Sequence, residues 1–190
     1  MFKKLDKVEG EINNTINDLV EEEFNFLYVG HWLQGELGQD RKDTGMLVKT
    51  FLETFKGKKQ RPGLILKTQS ATPSIMDREE ILDKIRKIEE VVGGDLPNVY
   101  LVHGELTDEE VNELYNHPKV KAHVTFTKGE GYGRPLLEFS LTKKPIITTN
   151  WSGHTDFLNP EFTTMLPGQL ANVHPSAANQ WLLKESQWFS

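Results

Sequence analysis

From Phe24 onward the chain alternates short apolar runs with amphipathic stretches at helical spacing, and few folds accommodate that alternation. FNFLYVG (24–30), LILKT (64–68), NVYLVHG (98–104), VKAHVTF (120–126) and PIITTN (145–150) read as strands of a buried sheet. Between the first two, Leu47, Val48, Phe51, Leu52 and Phe55 share one face of a helix over 43–56. A longer helix starts at Asp77, with Ile81, Ile85, Ile88 and Val92 facing inward and Gly93-Gly94 as its stop. Asp77 with Glu80, and Thr107 with Glu110, have the spacing of capping boxes, and Pro118 ends the helix that runs to about Asn116. A last helix falls between the fourth and fifth strands. Strands alternating with helices predict a parallel sheet of about six strands with right-handed crossovers and helices on both faces, a Rossmann-like α/β fold.

Residues 1–23 differ from the rest. Leu5, Val8, Ile12, Ile16 and Leu19 recur at spacings of three and four, which predicts one amphipathic helix interrupted by Gly10. It is either an ordinary packing helix or the remnant of a linker to another domain. The main domain then covers 24–190.

At 190 residues the length suits one domain. A formal net charge of -6 gives the surface no general attraction for nucleic acid or anionic membrane, so any bound phosphate needs a local site. The absence of cysteine excludes disulfides, thiolate catalysis and Cys-ligated zinc. No apolar run approaches the roughly 20 residues of a membrane span. The segment MFKKLDKVEGEINN lacks a signal-peptide core, so a cytoplasmic location is expected.

Open parallel sheets bind ligands at the carboxyl ends of their strands. Those ends place the loops 31–43, 69–76, 103–107, 127–134 and 151–156 around any site. The loop at 127–134 carries the strongest signal. Thr127-Lys128-Gly129-Glu130-Gly131-Tyr132-Gly133-Arg134-Pro135 passes from a strand end through a glycine-rich turn into a helix. Gly131 and Gly133 permit positive φ and close approach of a ligand to the backbone. Pro135 suits a first helical position, and the free N–H groups of that turn, with the helix dipole, form an anion site fit for a pyrophosphate. Glu138 follows within about a turn. It would repel a phosphate, so it is expected to reach past it to the two hydroxyls of a ribose. Glu130, at the lip of the sheet, can accept a hydrogen bond from a sugar hydroxyl or face positive charge at an anomeric carbon. Two glutamates at this spacing in a Glu-rich chain, or glycines before a helix, are each commonplace. Their coincidence with a strand end and a helix start is what gives them weight.

The segment GEGYGRPLLEFSLTKKPIITTN resembles the E-x7-E region of retaining GT-B glycosyltransferases, the group 1 (family 4 type) glycosyl transferases. Trp151-Ser152-Gly153-His154-Thr155-Asp156-Phe157 resembles that family's Gly-Gly-x-x-Glu stretch. FNFLYVG and Arg41-Lys42-Asp43-Thr44-Gly45 resemble its first strand and basic turn. The match runs from Phe24 to about Leu158.

The resemblance implies a nucleotide-sugar-binding domain that is half of a GT-B enzyme transferring a hexose from a nucleoside diphosphate sugar. The other half, an acceptor-binding domain or partner chain, is then absent, and the C-terminal end is expected to be truncated. The alternative is a catalytically silent nucleotide-sugar-binding module; a third reading is an unrelated Rossmann-like protein. Glu130 corresponds to the glutamate beside the transferred sugar, Glu138 to the one that holds the ribose, and Lys42 to the cation that neutralises the leaving diphosphate. A lysine at a helix start is otherwise slightly unfavourable, which supports a ligand role.

Gly131, Tyr132, Gly133 and Arg134 of the turn are the further expected substrate contacts. The family's second basic residue after the first strand is His31 here. Either His31 is protonated beside a phosphate or Lys67, at the end of the second strand, replaces it. Phe139 and Ser140 stand where the family has alanines. His103 falls near the family's nucleobase position, with a structural histidine as the other reading. Tyr132 is otherwise a packing aromatic. No Asp-x-Asp loop or other metal motif is present, so no metal or cofactor is expected beyond the donor itself.

Overall fold

The computed structural model describes residues 1–70 and 72–190. Six strands form one parallel sheet: β1 (Asn25–His31), β2 (Gly63–Gln69), β3 (Val99–Val102), β4 (Val120–Val124), β5 (Ile146–Thr149) and β6 (Thr163–Leu166). Their order is β3-β2-β1-β4-β5-β6, so the chain reverses direction across the sheet between β1 and β4. At such a switch point the loops leaving two adjacent strands diverge to opposite faces and open a crevice.

Side chains alternate across the sheet, and helices cover both faces. Leu27, Ile65, Val120 and Ile146 meet α1 (Glu11–Leu19), α4 (Asp108–Asn116) and α5 (Arg134–Ser140) through Ile16, Leu114, Tyr115 and Phe139. Tyr28, Leu64 and Leu66 meet α2 (Thr44–Phe55) and α3 (Ile75–Val92) through Val48, Phe51, Leu52 and Ile85. The runs of β1, β2 and β3 are apolar at successive positions because both faces are dry, whereas β4, Val-Lys-Ala-His-Val, alternates, with Lys121 exposed and His123 buried. No helix among the described residues is long and apolar enough to cross a membrane.

Four expectations change. The N-terminal helix is confined to α1: Gly10, at φ 132°, is its N-cap, so Leu5 and Val8 lie on a non-helical segment. Asp77 does not cap α3. Ser74 does, accepting from the Asp77 N–H, and this frees the Asp77 carboxylate to receive the Ser70 N–H. Pro135 is the second residue of α5 rather than the first. Gly131 does not adopt positive φ, whereas Gly133 does, at 83°. The Thr107–Glu110 capping box is present, as is the stop at Gly93.

Beyond β6 the chain forms an antiparallel pair, β7 (Leu170–Asn172) and β8 (Gln187–Phe189), around Val173, Ala177 and Trp188. The Phe189 N–H bonds the Lys128 carbonyl at 2.9 Å, which fastens this unit to the loop after β4.

Candidate functional site

The two loops that leave β1 and β4 are stitched together at the switch point. The first enters α2 through Asp43, a non-glycine residue at φ 52°. The Arg41 carbonyl accepts from the Lys128 N–H at 2.8 Å, and the Arg41 guanidinium donates to the Gly129 carbonyl at 2.5 Å. Lys128 lies 3.4 Å from the Asp43 carboxylate. At the centre Lys42 donates to the Glu130 carboxylate, with Arg41 3.7 Å from its other oxygen. Both side chains of the Lys42–Glu130 pair are nearly buried, 11% and 12% exposed. Burial lowers the Lys42 ammonium below the usual lysine range. Burial alone would raise Glu130, but Lys42, Thr127 and Arg41 hold its carboxyl below the ordinary value, so Glu130 is ionised.

A cleft of about 510 Å³ opens beside this pair, over the ends of β1 and β2 and between α4 and α5. Lys42, Lys67, His31, Arg134 and Glu138 line it. Lys67 donates to the Gly104 carbonyl at 2.6 Å, and its burial again lowers the ammonium. His31 sits at the rim, its Nδ1 3.2 Å from the Ser70 carbonyl. The Glu138 side chain is 11% exposed. One of its oxygens accepts from Arg134 and the other from the Tyr115 hydroxyl at 3.2 Å. Burial and the Glu138 charge together push the Tyr115 phenol well above its usual range, so it remains a donor. The cleft thus gathers Lys42, Lys67 and Arg134 with three carboxylates, Glu105, Asp108 and Glu138, among apolar side chains that include Val29, Leu106 and Val111. Arg134 is paired with both Asp108 and Glu138. Cations beside hydroxyl acceptors suit an anion linked to a hydroxyl-bearing group.

The remaining expected residues lie elsewhere. Glu130 faces a second hollow of about 400 Å³, across the ion pair from the cleft, whose walls include Trp151 and Trp188. Tyr132 is 58% exposed, with its ring centroid 5.3 Å from that of Phe157. Gly133 has no room for a side chain, since an added Cβ would lie 2.9 Å from the His154 Cβ. The expected anion site at α5 is smaller than a full helix end. The helix has 7 residues, and the N–H groups of Leu136 and Leu137 both return to the Gly133 carbonyl. His103 does not line the cleft. Its Nε2 is 2.7 Å from the Asp77 carboxylate, tying the end of β3 to the start of α3. The loop 69–76 lies partly outside the described residues, at Ala71.

Tyr115, Gln69 and Phe2 line the cleft without having been singled out in the sequence. Tyr115 carries a signal only in retrospect, as a hydroxyl at the buried end of a capped helix. Gln69 and Phe2 carry none. Among the described residues no group of three or more His, Cys, Asp or Glu side chains could hold a metal ion.

No protein-family model matches the sequence, and no curated protein matches it. Solved structures do. The C-terminal domain of a glycosyl transferase group 1 family protein, LpcC from Francisella tularensis, superposes with a TM-score of 0.62 at 14% identity, covering 87% of this chain and 77% of that one. HepE (Alr3699) from Anabaena, solved in complex with UDP-glucose, gives 0.55 at 13% identity, covering 83% of this chain and 39% of HepE. Sucrose-phosphate synthase from Thermosynechococcus elongatus gives 0.55 at 17% identity, covering 87% and 36%. The chain therefore spans most of the isolated LpcC domain but well under half of the two longer proteins. Its strand order and these superpositions give it a Rossmann-like α/β fold, the fold that the C-terminal domain of that group 1 glycosyl transferase has.

Proposed function

We propose that this chain is the donor-binding half of a retaining glycosyltransferase and holds a nucleoside diphosphate sugar at the β1/β4 switch point. The observation that carries this is the convergence of Lys42, Lys67 and Arg134 on a cleft that ends at Glu138. The diphosphate lies against the cations and the Gly133 turn, and the ribose hydroxyls donate to Glu138. When the glycosidic bond to phosphate breaks, negative charge grows on the departing diphosphate. Lys42 and Lys67, which line the cleft, supply the positive charge that stabilises it. Glu130 is ionised and shielded, and because it lies across the ion pair from the cleft, the sugar extends past Lys42 to bring its anomeric carbon toward it. With its charge taken up by Lys42 and Arg41 it is a poor nucleophile, which favours a front-face route with retention.

One wall of a reaction cleft is present, so the acceptor and the group that receives its proton belong to another domain or chain. The test is calorimetry with UDP, GDP and ADP and their hexose conjugates. We expect at least one nucleoside diphosphate to bind. No binding by any of them at millimolar concentration would refute the proposal.

A further inference from the structure

Residues 1–10 take no part in the sheet, yet their first half is held by two buried asparagines. Asn112 and Asn116 sit one turn apart on α4, 6% and 8% exposed. The Asn112 Oδ1 accepts from the Lys3 N–H at 3.1 Å. The Asn116 Nδ2 donates to the Lys3 carbonyl at 2.9 Å, and its Oδ1 accepts from the Leu5 N–H at 2.9 Å. Burying amides costs free energy unless each group is matched, and here the matches are mainly the backbone of this segment. An apolar pair at these two positions would pack α4 as well but would leave the segment unheld.

The clamp delivers one side chain to the cleft. Phe2, adjacent to Lys3, is half-buried on the cleft wall. Its ring centroid is 5.9 Å from that of Tyr115, and the Arg134 guanidinium stands 5.9 Å from the Phe2 ring. Tyr115 and Arg134 are the same two residues that hold Glu138. The Phe2 ring therefore lies at the Glu138 end of the cleft, beside Tyr115 and Arg134. A nucleotide has one part with a flat π-face, its base, and the base is joined directly to the ribose.

We propose that Phe2 is a nucleobase-binding residue, positioned by the Asn112–Asn116 clamp. The inference rests on the assignment of Glu138 to the ribose and names what lies beyond it. The base packs on the Phe2 ring next to Arg134, and the clamp makes that wall part of the folded domain rather than a mobile tail.

The experiment compares the parent chain, Phe2→Ala, Phe2→Tyr and Asn112→Ala/Asn116→Ala by calorimetry. The probes are UDP, GDP and ADP, with inorganic pyrophosphate as the probe that lacks a base. Circular dichroism establishes that each variant is folded. Aromatic stacking on a base corresponds to about a fivefold to hundredfold change in affinity. Phe2→Ala should therefore weaken the best-bound nucleoside diphosphate at least about fivefold and leave pyrophosphate unchanged. Phe2→Tyr should restore binding, and the clamp variant should reproduce the loss although Phe2 is intact. If the parent binds no nucleoside diphosphate, the donor proposal fails and this inference with it. If the parent binds and Phe2→Ala binds equally well or more tightly, or loses pyrophosphate in the same proportion, this inference alone is overturned.

Discussion

Lys42 and Glu130, 88 positions apart in sequence, form an ion pair across the switch point that is almost closed to water. Such a pair adds little net stability, because desolvation offsets the attraction, but removing one partner strands a buried charge. Glu130→Gln and Lys42→Met should each destabilise the domain by about 3 kcal/mol, and the double variant by less than their sum. Urea denaturation of the four proteins measures this. Additive losses would mean that the two charges act independently. Binding experiments with either single variant need to be run where it is still folded.

The two glutamates should separate by ligand. Glu138→Ala removes the proposed ribose acceptor, and a hydrogen bond to a charged group corresponds to about 1.5–3 kcal/mol, so a bare nucleoside diphosphate should bind at least tenfold more weakly. Glu130→Gln should spare the bare nucleotide and weaken only the sugar-bearing form. Equal losses on the bare nucleotide for both would show that the roles are misassigned.

Lys67 tests the proposed diphosphate subsite without disturbing an ion pair, since its bond in the free protein is to a carbonyl. Lys67→Met should lower affinity for nucleoside diphosphates and flatten its dependence on salt, while a nucleoside binds as before. Unchanged diphosphate affinity would make Lys67 only a support for the loop at Gly104.

His123 should make the fold sensitive to mild acid. It is fully buried on β4, between Leu27 and Ile146 in register, and its ring centroid is 5.2 Å from that of Phe139. Burial, with the Lys42 charge next, lowers its pKa to about 3. A histidine held neutral in the fold contributes stability that is complete above its unfolded value near 6.5 and is lost as pH falls from there toward 3. Asp40 works in the opposite sense. Burial and then Asp43 push its carboxyl up to about 6, so its destabilising charge disappears over part of the same range. The difference between the parent and His123→Leu isolates the histidine. The variant should lose less stability between pH 7 and pH 4, by about 3 kcal/mol. Parallel stability curves for the two proteins would show that His123 is protonated in the fold without cost.

The chain alone should transfer little or no sugar. Positioning of an acceptor supplies roughly 7–11 kcal/mol of a barrier, and every proposed catalytic group here lies on one wall. Slow donor hydrolysis is compatible with the cations present. Incubation with a panel of nucleotide sugars and a broad acceptor mixture, followed by product detection, decides the point. Rapid turnover by a monomer would refute the half-enzyme proposal.

The sheet was legible because its determinants are local. Strands β1 to β3 are short runs without polar alternation, and that pattern follows from burial on two faces whatever the partners are. Capping at Thr107 was equally local, since Thr107 and Glu110 satisfy each other within one turn. Strand β6 had no such mark. It follows β5 through a short 3-10 turn at Gly153–Asp156 instead of a long helix, so the alternation that revealed the other strands stops there.

Tertiary structure decided what the sequence left degenerate. The heptad-like spacing from Leu5 to Leu19 predicted one helix, but the backbone amides of Lys3 and Leu5 found partners on α4 and the helix begins only after Gly10. Asp77 had the spacing of a cap, yet Ser74 takes the cap and Asp77 holds Ser70 and His103, moving that histidine off the cleft. Sequence patterns locate Lys42, Lys67, Arg134 and Glu138 at strand and helix ends because ends are set by neighbours in the chain. Which of them face one cleft, which charge Glu130 meets, and that Tyr115 and Phe2 complete the wall depend on the order of strands across the sheet. That order is fixed by the packing of distant faces, and no local spacing encodes it.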